Sequence, residues 1–167
     1  MGKTTLCNIL STKFGVPHYS AGELIKRLKT SGGNSESDKR VRNIKGNQDI
    51  LIQAIKEYVS GDFFYLLDGH FALLDTSSTV AKVPDDTFKA LSPCGIMVVH
   101  DSVSDILNRI TQRDGVVYDY SLLSKLQEVE LEHAAYIASM LCVPYLATKQ
   151  NDDLADVERF IGNLMRG

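Results

Sequence analysis

Two short apolar runs, each closed by polar residues, constrain this chain more than any other feature. Phe63-Phe64-Tyr65-Leu66-Leu67 ends in Asp68-Gly69-His70, and Gly95-Ile96-Met97-Val98-Val99 ends in His100-Asp101. A run of this length with no polar alternation is the pattern of a strand buried on both faces, as in a parallel sheet covered by helices. The segments between and around them have helical spacing. Thr4 to Phe14 places Leu6, Leu10 and Phe14 on one face and stops at Gly15 and Pro17. Val16 to Tyr19 is a candidate short strand. Ser20 then stands as the cap of a helix from Ala21 to about Leu28, with Glu23 completing a capping box. Helices are also predicted over Asn47–Val59, Val103–Arg113, Ser121–Leu141 and Leu154–Met165, with a last strand over Val143–Ala147. The turn formers from Thr30 to Ser37 mark a loop. Strand and helix alternate, so the expected architecture is α/β, a three-layer sandwich around a mostly parallel sheet.

Composition narrows the function classes. A chain of 167 residues, 44% hydrophobic, fits one domain. With 18 basic against 21 acidic residues and a net charge of -3, it lacks the positive field that general nucleic-acid binding uses. No apolar run is long enough to span a bilayer and no secretory signal opens the chain, so a cytoplasmic protein without membrane association is expected. Cys7, Cys94 and Cys142 are odd in number and far apart, which favours ordinary thiols over a disulfide framework or a zinc site.

The opening residues Gly2-Lys3-Thr4-Thr5 match the end of G-x-x-x-x-G-K-[ST], the phosphate-binding P-loop. Each residue type has a task there. Glycine lets backbone amides approach phosphate, the helix N-terminus favours negative charge, lysine reaches the β and γ phosphates, and the hydroxyl of Thr4 ligates Mg²⁺. A tripeptide of this kind also occurs as a plain helix start. The downstream strand ending in Asp68 supplies the carboxylate that usually accompanies the metal, through a bound water or a P-loop hydroxyl. The strand and first glycine that precede such a tail are not in the sequence. The first strand is therefore expected to be encoded upstream of Met1, and the chain as written to fold poorly or bind ATP weakly.

Beyond the P-loop tail, the chain resembles the P-loop nucleoside monophosphate kinases, the adenylate kinases and smaller adenylate-kinase-like ATPases, over nearly its whole length. The resemblance rests on Gly2-Lys3-Thr4-Thr5, on His18-Tyr19-Ser20-Ala21-Gly22-Glu23-Leu24-Ile25-Lys26, on Leu66-Leu67-Asp68-Gly69, and on Arg109 with Arg113. It implies a single domain over residues 1–167 of the P-loop nucleoside triphosphatase type, with an acceptor-binding helical insertion at about 20–60 and a short lid at about 113–121. It also implies ATP as phosphoryl donor, Mg²⁺ held through Thr4 and Asp68, and a nucleoside monophosphate as acceptor.

Several of these residues have two physical readings. Ser20 and Gly22 offer a hydroxyl and a close backbone approach to a base or ribose edge, or simply a helix cap. Lys26 and Arg27, with Arg40 and Arg42 beyond the loop, are candidates for the acceptor phosphate or members of a solvated cationic face. Lysine at position 26, where the family usually has arginine, lacks the bidentate fork. His70 stands where typical relatives carry further residues including arginine, as a substrate contact or a hydrogen-bonded structural histidine. Arg109 and Arg113 lie one turn apart and stabilise charge on the γ-phosphate, or pair with Asp105 or Asp114. Asp38 is an acceptor-orienting carboxylate or a solvated loop residue.

The leading expectation is an ATP-dependent kinase of a nucleoside monophosphate, with Lys3, Arg109 and Arg113 as the catalytic charges. Three alternatives stand beside it. One is a kinase of another small metabolite, with Asp38 or Asp68 as base. Another is a regulatory protein of the same fold that binds and slowly hydrolyses ATP. The last is an inactive truncated product.

Overall fold

A computed structural model describes residues 2–31, 44–59, 64–75, 77–114, 119–150 and 152–167. The chain divides into two compact units, Met1–Gly69 with Pro84–Ser92, and His70–Val83 with Pro93–Gly167.

In the first unit, helix α1 (Lys3–Phe14) starts directly after Gly2 and ends at Gly15, whose φ of 64° is the left-handed cap that glycine adopts at little cost. Leu6 and Leu10 are its buried residues. Strand β1 (His18–Ser20) runs straight into α2 (Ala21–Ser31). Helix α3 (Ile44–Tyr58) packs against α2, and strand β2 (Leu66–Asp68) pairs parallel to β1 with Ser20 opposite Asp68. Leu24, Leu51, Ala54 and Val59 form the core between these elements, with Tyr19, Ile55, Tyr58 and Leu67 packed around it. The apolar face predicted for 47–59 therefore covers α2 and the strands.

The second unit opens with an antiparallel hairpin, β3 (Ala72–Leu74) and β4 (Val80–Lys82). Its turn is built on Asp75, whose carboxylate accepts the amides of Ser77 and Thr79 at 2.8 and 2.9 Å, while Ser78 takes a φ of 58°. The sequence reading assigned no element here, because a three-residue strand is too short to show a period. The same holds for α4 (Asp85–Leu91), a seven-residue helix of the first unit bounded by Pro84 and Ser92. Strand β5 (Ile96–His100) pairs parallel to β6 (Tyr145–Lys149), with helices α5 (Val103–Asp114), α6 (Tyr120–Leu141) and α7 (Leu154–Leu164) completing the unit. Asp119 and Asp153 cap α6 and α7, accepting the amides of Leu122 and Ala155 at 3.0 and 3.1 Å.

Strands β1 and β6 begin two residues later than their sequence patterns predict, for one reason. Each is preceded by a proline, which has no amide to donate but offers a carbonyl. Pro17 O accepts from Leu66 N and Pro144 O from Ile96 N, both at 2.9 Å, so each proline sits at the start of a parallel pair and the regular ladder follows it. The α/β composition with parallel pairing is as expected. Among the described residues β2 pairs only with β1, and β5 only with β6. The region around Asp38, Arg40 and Arg42 and residues 115–118 of the lid predicted at 113–121 lie outside the described residues. No described helix is long and apolar enough to cross a membrane.

Ile137 on α6 is 0% exposed. Ile137→Ala is expected to destabilise its unit by about 2–5 kcal/mol, read from the urea midpoint, because a packed interior collapses only partly around a lost side chain.

Candidate functional site

The N-terminus of α1 and the carboxyl end of β2 meet at one hydrogen bond: the Thr4 hydroxyl donates to Asp68 Oδ2 at 2.7 Å. Both positions follow from local structure. Gly2 is the helix N-cap with extended backbone, so the hydroxyl of Thr4 and the side chain of Lys3 lie in the first turn, where amides have no partner within the helix. No acidic residue occupies that turn, and space is open where a Cβ on Gly2 would project. Asp68 is the last residue of β2, so its carboxylate emerges where the strand ends.

Cys7, one turn further along α1, reports the field at this point. Its thiol is pushed up to about 11, first by burial and then by the Asp68 carboxylate, with Lys3 acting in the opposite sense. Lys3, itself half-buried, and Asp68 therefore act on the same sulfur. Thr5 is exposed.

Behind β1 lies an open cleft of about 140 Å³ lined by His18, Tyr19, Ser20, Glu23, Leu24 and Arg27. The guanidinium of Arg27 stacks over the Tyr58 ring, 4.1 Å from its centroid, which ties α2 to α3 at the edge of this cleft. His18 Nδ1 lies 3.0 Å from Asn8 Oδ1 of α1. Of the residues expected at an acceptor site, Ser20 and Arg27 line the cleft, whereas Gly22 and Lys26 are exposed on α2 and do not. Glu23, assigned by sequence only to a capping box, lines it as well. Arg40 lies outside the described residues.

In the second unit, Arg109 of α5 donates from Nη1 to Asp101 Oδ2 at 2.7 Å. Its partner is thus the residue that closes β5, and not Asp105, which accepts from the Ser102 hydroxyl at 2.6 Å. The Arg109 guanidinium holds the Asp101 carboxyl below its ordinary range, assisted by the Ser102 amide. The Asp101 amide in turn donates to Gln127 Oε1 of α6 at 3.1 Å. Arg113 lies one turn beyond Arg109 in α5, and its side chain lies outside the described residues. His70 Nδ1 contacts Glu130 Oε1 of α6 at 3.0 Å. Asp101 was legible as a polar residue closing an apolar run. Glu130 and Gln127 carry no sequence signal, since their partners are 60 and 26 residues away.

A family model described as AAA domain matches residues 1–126. The chain belongs to that AAA domain family. No curated protein sequence matches it. Among solved structures it is similar to a gluconokinase from Sinorhizobium meliloti 1021, at 18% identity and a TM-score of 0.52, over 99% of this chain and 86% of that one. At that identity the likeness concerns fold alone, a mixed α/β fold of the P-loop nucleoside triphosphatase type. In this AAA domain the matched span contains Lys3, Thr4, Asp68, Arg109 and Arg113. Among the described residues no group of three or more His, Cys, Asp or Glu side chains is arranged to hold a metal ion by itself.

Because a thiol raised to about 11 is protonated at neutral pH, Cys7 is expected to alkylate far more slowly than the exposed Cys94 and Cys142. Time-resolved iodoacetamide labelling at pH 7.5 followed by peptide mass spectrometry measures the three rates. Cys7 gains reactivity only as the pH rises toward its raised value.

Proposed function

We propose that this AAA domain is an ATP-dependent phosphotransferase acting on a small molecule. The observation that carries the reading is the bond between Thr4 and Asp68, which sets a hydroxyl and a carboxylate side by side at a helix N-terminus beside Lys3. Phosphoryl transfer asks the protein mainly for positioning and charge neutralisation. Gly2, Lys3, Thr4 and Thr5 hold the phosphates of ATP in this reading. In this reading the N-terminus of α1 and the lysine are the groups that attract anionic oxygens.

The donor set suits Mg²⁺. One hydroxyl and one carboxylate are hard oxygen ligands, and Mg²⁺ is commonly bound through one or two protein oxygens together with phosphates and water. When bound, the ion neutralises charge on the transferring group; Thr4 and Asp68 would hold it. Arg109, oriented by Asp101, and Arg113 are assigned to charge on the transferred phosphoryl group.

The resemblance to adenylate kinases makes a nucleoside monophosphate the first acceptor to consider, bound by Ser20, Gly22, Lys26, Arg27, Arg40 and His70. A specific observation favours the second reading, a kinase of another metabolite. Among the described residues the cleft lining carries one cation, Arg27, and one carboxylate, Glu23, so it does not concentrate positive charge for a phosphate dianion. The fold shared with a gluconokinase accommodates that second reading.

Lys3→Ala is expected to weaken ATP binding at least about tenfold and leave the fold intact, since a charge-assisted hydrogen bond contributes about 1.5–3 kcal/mol. Titration of the protein with a fluorescent ATP analogue, with and without Mg²⁺, measures this. Equal affinity of wild type and variant removes Lys3 from the phosphate site.

A further inference from the structure

The cleft behind β1 carries a carboxylate that the fold does not use. The sequence offers Glu23 to a capping box with Ser20, yet neither the Glu23 carboxylate nor the Ser20 hydroxyl makes a hydrogen bond or ion pair with a described residue. Arg27 lies one turn along α2 on the same face, where an acid and a base four apart readily pair. Its guanidinium lies instead over the Tyr58 ring, 4.1 Å from the centroid. A carboxylate and a hydroxyl thus line one cleft and are left for a ligand.

Size and charge narrow that ligand. Among the described residues the cleft holds about 140 Å³, less than the roughly 300–1,000 Å³ of sites that enclose drug-sized molecules. It suits a compound smaller than a nucleotide. A carboxylate accepts hydrogen bonds and offers none, so Glu23 pairs with hydroxyl groups and repels the oxygens of a phosphate. Ser20 both donates and accepts, and so matches a ligand hydroxyl in either sense. Position supplies the rest. Ser20 stands opposite Asp68 in the parallel pair, on strands about 4.8 Å apart, and Asp68 accepts the Thr4 hydroxyl at the N-terminus of α1. All of these residues belong to the first unit. A molecule seated against Ser20 is therefore next to the residues assigned to the phosphates of ATP.

Resting on the kinase reading above, we propose that the acceptor in this cleft is a small polyol without a phosphate group, and that Glu23 sets this specificity by accepting hydrogen bonds from its hydroxyls. A further hydroxyl of the same molecule is phosphorylated. Its oxygen forms a bond to the γ-phosphorus while the bond from that phosphorus to the bridging oxygen of ATP breaks, and the bonding pair leaves on ADP. The hydroxyl proton becomes acidic as the new bond forms and passes to water. The products are a phosphate monoester, ADP and a proton.

The experiment follows transfer of the radiolabelled γ-phosphoryl group from ATP to glycerol, erythritol, glucose, gluconate and the nucleoside monophosphates. Wild type is expected to label at least one hydroxyl compound and no nucleoside monophosphate. Glu23→Ala is expected to lower kcat/KM for that compound at least about tenfold, chiefly through KM, with ATP affinity unchanged. Glu23→Asp keeps the carboxylate and retains more of the activity than the alanine form. Glu23→Lys places a second cation on the lining, so adenosine monophosphate becomes a competitive inhibitor against the polyol, which loss of a merely structural carboxylate would not produce. Thermal melting establishes that each variant is folded, and the alanine and aspartate forms decide the matter if the lysine form is not. Labelling of a nucleoside monophosphate by the wild type, labelling of none of the hydroxyl compounds, or a folded Glu23→Ala form with wild-type kcat/KM overturns the proposal. Failure of the wild type to bind ATP at all, seen in the titration before any acceptor is added, defeats the kinase reading itself.

Discussion

The hydrogen bond from Thr4 to Asp68 is the constraint on which the first unit's chemistry depends. It joins two positions 64 residues apart, the first turn of α1 and the last residue of β2. A carboxylate at the end of an apolar strand is costly unless something compensates it. Here the compensation is a hydroxyl from a helix N-terminus, so the end of the strand and the beginning of the helix stabilise one another. Lys3 and Asp68 both act on the Cys7 thiol, in opposite senses. Structure and proposed chemistry thus share one pair of oxygens.

In the second unit a single helix does the comparable work. Gln127, Glu130 and His133 are spaced three apart on α6, and each reaches a different piece of backbone or side chain. Gln127 accepts the amide that follows β5, Glu130 holds His70, and His133 donates from Nε2 to the Val83 carbonyl at 2.8 Å. Residues three apart share a helix face, so these form one polar stripe along the helix. The stripe borders the residues that pack, Leu123, Val129, Ala134, Ile137 and Ala138. Each hydrogen bond contributes only about 0.5–1.5 kcal/mol net, yet leaving a buried polar partner unmade costs about 1–3 kcal/mol. The stripe consequently sets where the hairpin and the end of β5 lie on the helix more than it adds stability.

The two pairs at strand ends, Arg109 with Asp101 and His70 with Glu130, follow one design. In both, an inward carboxylate orients a more exposed basic group, with side-chain exposures of 11% against 42% and 15% against 51%. Fixing the orientation of a charged or basic group before a ligand arrives reduces the ordering that binding must supply. In each pair the carboxylate is the less exposed partner, so it is the part that fixes the geometry.

The elements themselves were legible because their signals are local. Apolar runs located β2 and β5, helical spacing located α1, α3, α5, α6 and α7, and Gly15 marked the end of α1 through its own backbone preference. The boundaries of β1 and β6 moved because Pro17 and Pro144 give a carbonyl but no amide, a fact visible in sequence but decisive only once a partner strand is present. The hairpin and α4 were too short to carry a period. By itself the sequence determined the α/β alternation, the P-loop tail and the polar residues at two strand ends. Only the tertiary structure decided that Arg109 answers to Asp101 and not to Asp105, and that His70 answers to Glu130. Periodicity records which way a residue faces along its own helix or strand, whereas a hydrogen bond across 60 residues depends on where another helix comes to rest.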